Sequence, residues 1–185
     1  MKPDPIGPNV ELLEQLLAFL ARLTDGQYRH VEARLSSASI GAHVRHILDH
    51  YRLFLAGLPS GAVDYDARER ETPVERQRGV ASAEGRRIVA GLAALTPAAV
   101  ARPLHVRQQG SYEVGRFDGC ESRADRELLF LQSHTVHHLA LVAVLARAQD
   151  VQPPERFGVA PSTVSWLEGR ESGAAPAGSG ARAAR

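Results

Sequence analysis

Apolar positions along the chain fall into blocks of two periods, and these blocks define the expected elements. Leu12, Leu13, Leu16, Leu17, Phe19, Leu20 and Leu23 recur at i, i+3, i+4 and i+7, which predicts a first helix with one buried face over about residues 9–23. Asn9 is placed to cap it, and Thr24-Asp25-Gly26 to stop it. Gln27 to Leu35 fits either a helical turn or a connection. A second helix is expected from about Ile40 to Ala56, with caps available in Ser36-Ser37-Ala38-Ser39. The third runs from about Val80 to Leu95, with Ile88, Val89, Leu92 and Leu95 on its apolar side and Thr96-Pro97 behind it. The fourth and longest opens at Glu121 or Ser122 and reaches about Gln149, ahead of Pro153-Pro154.

Between the third and fourth helices the period changes to two. Leu104-His105-Val106-Arg107 and Tyr112-Glu113-Val114-Gly115 alternate around Gln108-Gln109-Gly110-Ser111, which predicts a small β-hairpin. The stretch from Asp64 to Arg78, with Arg68, Glu69, Arg70, Glu71, Glu75, Arg76 and Arg78, has the composition of a solvated loop. Phe157 to Thr163 and Trp166-Leu167 are apolar enough to pack back on the body, whereas Glu168 to Arg185 is poor in anchors and is expected to be disordered. The expectation is an all-α four-helix bundle with a hairpin insertion, one domain over 1–167 and a tail over 168–185.

Composition narrows the function. With 185 residues one sizeable core is affordable, and 44% apolar against 23% charged residues is ordinary for a soluble domain. A formal charge of +1 gives no general attraction to nucleic acid or to an anionic membrane surface, so neither is an expected partner. The single cysteine, Cys120, excludes an intramolecular disulfide, and with no export segment or run of about 18 apolar residues a cytoplasmic setting is expected. Nothing beside Cys120 except Arg116 and Arg123 would activate it, so it is expected to be a packed or tolerated thiol.

The chemistry is concentrated in the eight histidines. On a helix, His134 and His138 lie one turn apart on the same face, and His43, His46 and His50 share a stripe of the second helix. Imidazoles projected from facing helices are how bundles build metal sites, and three protein ligands with an open position is the usual catalytic arrangement. The proposed ligands are His46, His134 and His138, with His43 and His50 as rivals for the place of His46. Ligand type suits zinc, nickel, iron or copper alike. His30 and His105 are expected at the surface. The residues between His134 and His138 are Thr135, Val136 and His137, so no HExxH glutamate is present and a metalloprotease is disfavoured. Candidate acid–base residues are Asp49, Glu127 and His137, each with a structural alternative: orienting a histidine, pairing with Arg123 or Arg126, or facing solvent.

Two segments carry a resemblance. Ile40-Gly41-Ala42-His43-Val44-Arg45-His46-Ile47-Leu48-Asp49-His50 and Ser133-His134-Thr135-Val136-His137-His138-Leu139-Ala140-Leu141 resemble the histidine helices of the DinB/YfiT-like superfamily, and the likeness extends over most of residues 9–150. The resemblance implies an up-down-down-up bundle with a long crossover between helices two and three. It also implies a histidine triad of His46, His134 and His138 for zinc, nickel or iron, and homodimerisation through helix faces. Better-known members are thiol S-transferases using low-molecular-weight thiols and a mycothiol-dependent isomerase, so a metal-dependent transferase acting on a small-molecule substrate with a small thiol is implied. This chain departs from many relatives at Leu139-Ala140-Leu141, where they carry an Arg-Gly-Gln type continuation. A non-catalytic metal-binding, stress-related or interaction protein and a metal-dependent hydrolase are the alternatives.

Overall fold

Four long helices each turn an apolar face to their neighbours, and those faces meet in one core. The computed structural model describes residues 4–68, 72–113 and 118–171. In chain order the elements are α1 (Gly7–Leu20), α2 (Asp25–Arg29), α3 (Ile40–Gly57), β1 (Ala62–Asp64), α4 (Pro73–Arg76) and α5 (Arg78–Ala93). They continue with α6 (Pro97–Val100), β2 (Pro103–Gln108), β3 (Asp118–Arg123), α7 (Ala124–Arg147) and α8 (Pro161–Glu171). Helices α1 and α3 each pack against both α5 and α7. The core they enclose includes Leu13, Leu16, Phe19, Val44, Ile47, Phe54, Leu92, Leu131 and Leu139, all buried. The chain is therefore mostly helical with a small sheet, as its periodicity predicts.

Three expectations about helix ends are corrected. Asn9 is not a cap: Ile6 holds that position, and the Asp4 carboxylate accepts from the Ile6 and Gly7 amides at 2.9 and 3.2 Å. Thr24 does not stop α1, which ends at Leu20; it caps α2, its hydroxyl accepting from the Gln27 amide while the Gln27 side chain accepts from the Thr24 amide. Helix α7 begins at Ala124, because the residues before it are spent on β3. The cap of α3 is as expected, with Ser39 Oγ accepting from the Ala42 amide at 3.1 Å.

The hairpin is also corrected. Strand β2 lies where alternation predicts it, with Leu104 and Val106 buried, but its antiparallel partner is Asp118–Arg123 and not Tyr112–Gly115. Tyr112 is fully exposed, and Val114 and Gly115 lie outside the described residues. On its other edge β2 pairs in parallel with β1, with Val63 opposite Val106, so the sheet has three strands in the order β1-β2-β3. Two hydrogen-bonded neighbours hold β2 where a lone hairpin would be marginal.

The charged crossover is not simply solvated. The Tyr28 hydroxyl donates to the Val74 carbonyl at 2.8 Å, and Arg45 pairs with Glu75 at 3.1 Å, so α4 is clamped on α3. Gly41 permits this: a Cβ there would collide with the Glu75 carbonyl. Residues 69–71 of the expected loop lie outside the described residues. At the other end, Phe157 packs on Phe19 as anticipated, with centroids 4.8 Å apart, but Trp166 and Leu167 remain half exposed on α8. Helix α8 takes in residues 168–171 of the expected tail, and 172–185 lie outside the described residues.

Among the described residues one helix, α7, is long and apolar enough by length and composition to cross a membrane. It packs against α1 and α3 and buries Leu128, Leu131, Leu139 and Val142, which is the pattern of a bundle's central helix.

Asn9 is instead a buried polar tie among three helices. Its Nδ2 donates to the Leu128 carbonyl at 3.0 Å and to the Pro5 carbonyl at 2.7 Å. The Tyr51 hydroxyl donates to Asn9 Oδ1 at 2.6 Å, and the Thr135 hydroxyl donates to Tyr51 at 3.0 Å. Because water does not reach these groups, removing one leaves its partners unsatisfied. Asn9→Ala is expected to lower stability by about 2 to 3 kcal/mol in urea unfolding. Combined with Tyr51→Phe it should cost less than the two single changes added together, since both cut one network.

Candidate metal centre

Helix α3 presents His43, His46 and His50 on successive turns, and α7 presents His134 and His138 one turn apart. Because α3 and α7 pack directly, the two rows meet. One ligand nitrogen from each of His46, His134 and His138 lies within 4.8 Å of the other two, and all three residues are half-buried. Ring centroids are 4.9 Å apart for His46 and His134, 4.5 Å for His46 and His138, and 4.6 Å for His134 and His138. The three ligands expected from spacing are thus the three brought together.

The closest contact is the informative one. His46 Nε2 faces His134 Nε2 at 3.1 Å. Two imidazole lone pairs repel at that distance unless a proton or a cation lies between them. Arg68 decides which arrangement holds without a metal. Its Nη1 is 2.8 Å from His46 Nδ1, and a guanidinium can only donate. His46 Nδ1 must therefore accept, its proton resides on Nε2, and that proton is given to His134 Nε2. The chain of donors then ends at His134 Nδ1, a buried nitrogen with no hydrogen-bond partner among the described residues. A cation between the two Nε2 atoms would replace the shared proton, so the donor set fits a divalent transition metal.

The rival histidines flank the group. His43 Nδ1 meets His138 Nδ1 at 3.1 Å, and His50 Nδ1 donates to the His46 carbonyl at 2.8 Å. The His50 ring lies 4.2 Å from that of His134 and stacks on Tyr65 at 5.2 Å, while Phe130 stacks on His134 at 5.5 Å. Burial is the largest cause holding these imidazoles neutral, and neighbouring histidines add to it. His46 is lowered to about 2, His134 to about 3 and His138 to about 4. After burial, the neighbouring His50 does most to lower His46 and His134, and the neighbouring His43 does most to lower His138. Neutral imidazole is the ligating form, so no proton needs displacing from these rings as charge at neutral pH.

The sequence profile of the DinB superfamily matches residues 10–142, a span that holds both histidine rows. The chain belongs to the DinB superfamily. Curated proteins give no match. The helix-three and helix-seven histidines that carry the resemblance in the DinB-type sequence are the ones that converge.

The acid–base candidates take different places. His137 is exposed on α7, its ring edge-on to His138 at 5.2 Å. Glu127 is buried, with Oε2 accepting from the Tyr65 hydroxyl at 2.9 Å and Oε1 from the Ser122 hydroxyl at 2.6 Å. Burial, then the Glu127 charge, pushes the Tyr65 phenol far up, so it stays protonated. Asp49 faces Arg52 at 3.4 Å beside α4 and α5, its Oδ2 without a partner among the described residues, and burial raises its carboxyl above the usual range. His30 and His105 are at the surface, near Glu32 and Glu121 respectively. Cys120 is an exposed free thiol on β3, not a packed one.

Sequence reasoning missed Arg68, Tyr65 and Phe130 in this DinB-superfamily centre. Phe130 was discoverable, since it lies one turn before His134. Arg68 was hidden among alternating charges.

Two outcomes are expected. The centre's histidines are neutral in the fold but take up protons near pH 6.5 when unfolded, so their contribution is complete above that value and is lost progressively as pH falls from there toward the folded values, about 4 for His138 and about 3 for His134. Thermal unfolding of metal-free protein should show a falling midpoint over this window, and a shallower fall in His134→Gln. In addition, a metal on His46 Nε2 requires a proton on Nδ1, which Arg68 opposes. Arg68→Gln, whose amide oxygen can accept that proton, should raise zinc affinity by about 10-fold or more in a competition titration.

Proposed function

We propose that the chain is a metal-dependent enzyme in which His46, His134 and His138 hold zinc, nickel or iron and a low-molecular-weight thiol or water is activated for transfer to a small electrophile. The observation that supports this most is the convergence of three half-buried imidazoles, with aromatic residues beside them and, among the described residues, no carboxylate or thiolate in the group. Three neutral ligands leave a coordination position open and leave the ion's full charge in place. A divalent ion held there would supply the Lewis acidity that lowers the pKa of a bound thiol or water.

The protein's own groups divide the remaining work. His46, His134 and His138 hold and orient. His137, at the exposed edge beside His138, is suited to receive a proton from the nucleophile and pass it to solvent. Glu127 works through the Tyr65 hydroxyl and fixes a ring that stacks on His50. Asp49 pairs with Arg52 on the part of α3 that faces α4 and α5, and acts on the centre through the position of that helix. We place the chain in the cytoplasm, with the up-down-down-up order of its superfamily and a homodimer as its assembly.

Purified protein is expected to carry close to one transition metal per chain by elemental analysis. His46→Ala, His134→Ala and His138→Ala should each reduce zinc affinity by more than about 100-fold, beyond the loss typical of outer-shell changes. Turnover of small thiols with an electrophile such as chlorodinitrobenzene should vanish with chelation and return with metal. Full metal loading without thiol- or water-dependent turnover would point instead to a storage or structural centre.

A further inference from the structure

Beside the histidine centre lies a recess of about 360 Å³ between the sheet and α7. Tyr65, Val106, Cys120, Arg126, Glu127 and Phe130 contribute to its wall. Two of these are the rings that touch the centre: Tyr65 stacks on His50 and Phe130 on His134. The recess and the centre therefore share a wall, and the volume is in the lower range of small-molecule sites.

Its polar groups are arranged by sign. Glu127 is buried, and its carboxylate accepts from Tyr65 and Ser122. Negative charge at that inner end repels an anion. Arg126 is exposed, and it lies near enough to Tyr65 to act on the phenol's charge. Its neighbour Arg123 is engaged by Asp125 at 2.8 Å, but no acceptor faces the Arg126 guanidinium among the described residues. Val106 and Phe130 give the wall its apolar surface, with Gln108 and Cys120 also on it. A guanidinium offers paired donors that match a carboxylate, and the apolar stretch offers a seat for a hydrocarbon or aromatic body.

We propose that this recess is the substrate pocket of the histidine centre and that it takes a small carboxylate with an apolar or aromatic body, the carboxylate held by Arg126. The proposal rests on the reading of the centre as a metal-dependent catalytic site and supplies the class of its second substrate.

The test uses benzoate and its neutral counterpart benzamide as probes, followed by ligand-observed NMR on the full chain, metal-free and loaded with cobalt(II). Arg126→Gln lies at the surface and leaves the fold intact by circular dichroism. It should weaken benzoate binding about tenfold, the scale of a charge-assisted pair, and leave benzamide unchanged. Benzoate protons should relax faster in the cobalt protein than in the metal-free one. Equal benzoate affinity in Arg126→Gln, no binding of benzoate, or relaxation indifferent to bound cobalt overturns the pocket. Failure of the centre itself gives a separate signal, the absence of a His134-dependent cobalt absorption band, and overturns the pocket's role in catalysis along with it.

Discussion

Two imidazole nitrogens facing each other across 3.1 Å set the terms for the rest of this structure. They come from positions 88 residues apart, His46 and His134, and in a half-buried setting neither can be charged without cost. Something positive must lie between them. In the absence of a metal it is a proton whose place is dictated by Arg68. The same pair of lone pairs, with His138 alongside, is what a transition metal needs. The centre is thus poised between two occupants of one position, and the crossover residue Arg68 belongs to only one of them.

The scaffold holds this arrangement at positions next to the converging histidines. Tyr51 follows His50 and Thr135 follows His134, and these two hydroxyls are joined to each other and to Asn9 of α1. A polar tie beside His134 on α7 and beside the flanking His50 on α3 fixes the rotation of both helices about their axes, which apolar packing alone would fix less sharply. The clamp of α4 on α3 through Tyr28 and Glu75 does the equivalent for the crossover.

Much of this was legible along the chain. The four long helices follow from apolar spacing to within about three residues, the scatter usual for helix ends. The triad follows from the one-turn spacing of His134 and His138 and the stripe on α3. What failed to show has physical reasons. Strand β3 reads Asp-Gly-Cys-Glu-Ser-Arg, with no apolar alternation, because its place comes from the ladder to β2 and not from burial. Strand β1 is three residues long and its partner is distant, so no local pattern marks it. Arg68 sits in a run of mixed charge that composition assigns to solvent, and only the folded crossover turns it onto His46.

The parallel pairing of β1 with β2 has a bearing on how the chain acquires its structure. Ala62 meets His105, so that contact closes a loop containing the whole of α5. Loop closure of this span costs entropy that is recovered only when the intervening helix has docked. The sheet and the docking of α5 on α3 are therefore coupled: β1 keeps its place beside β2 only when the helix between them has folded back on the bundle.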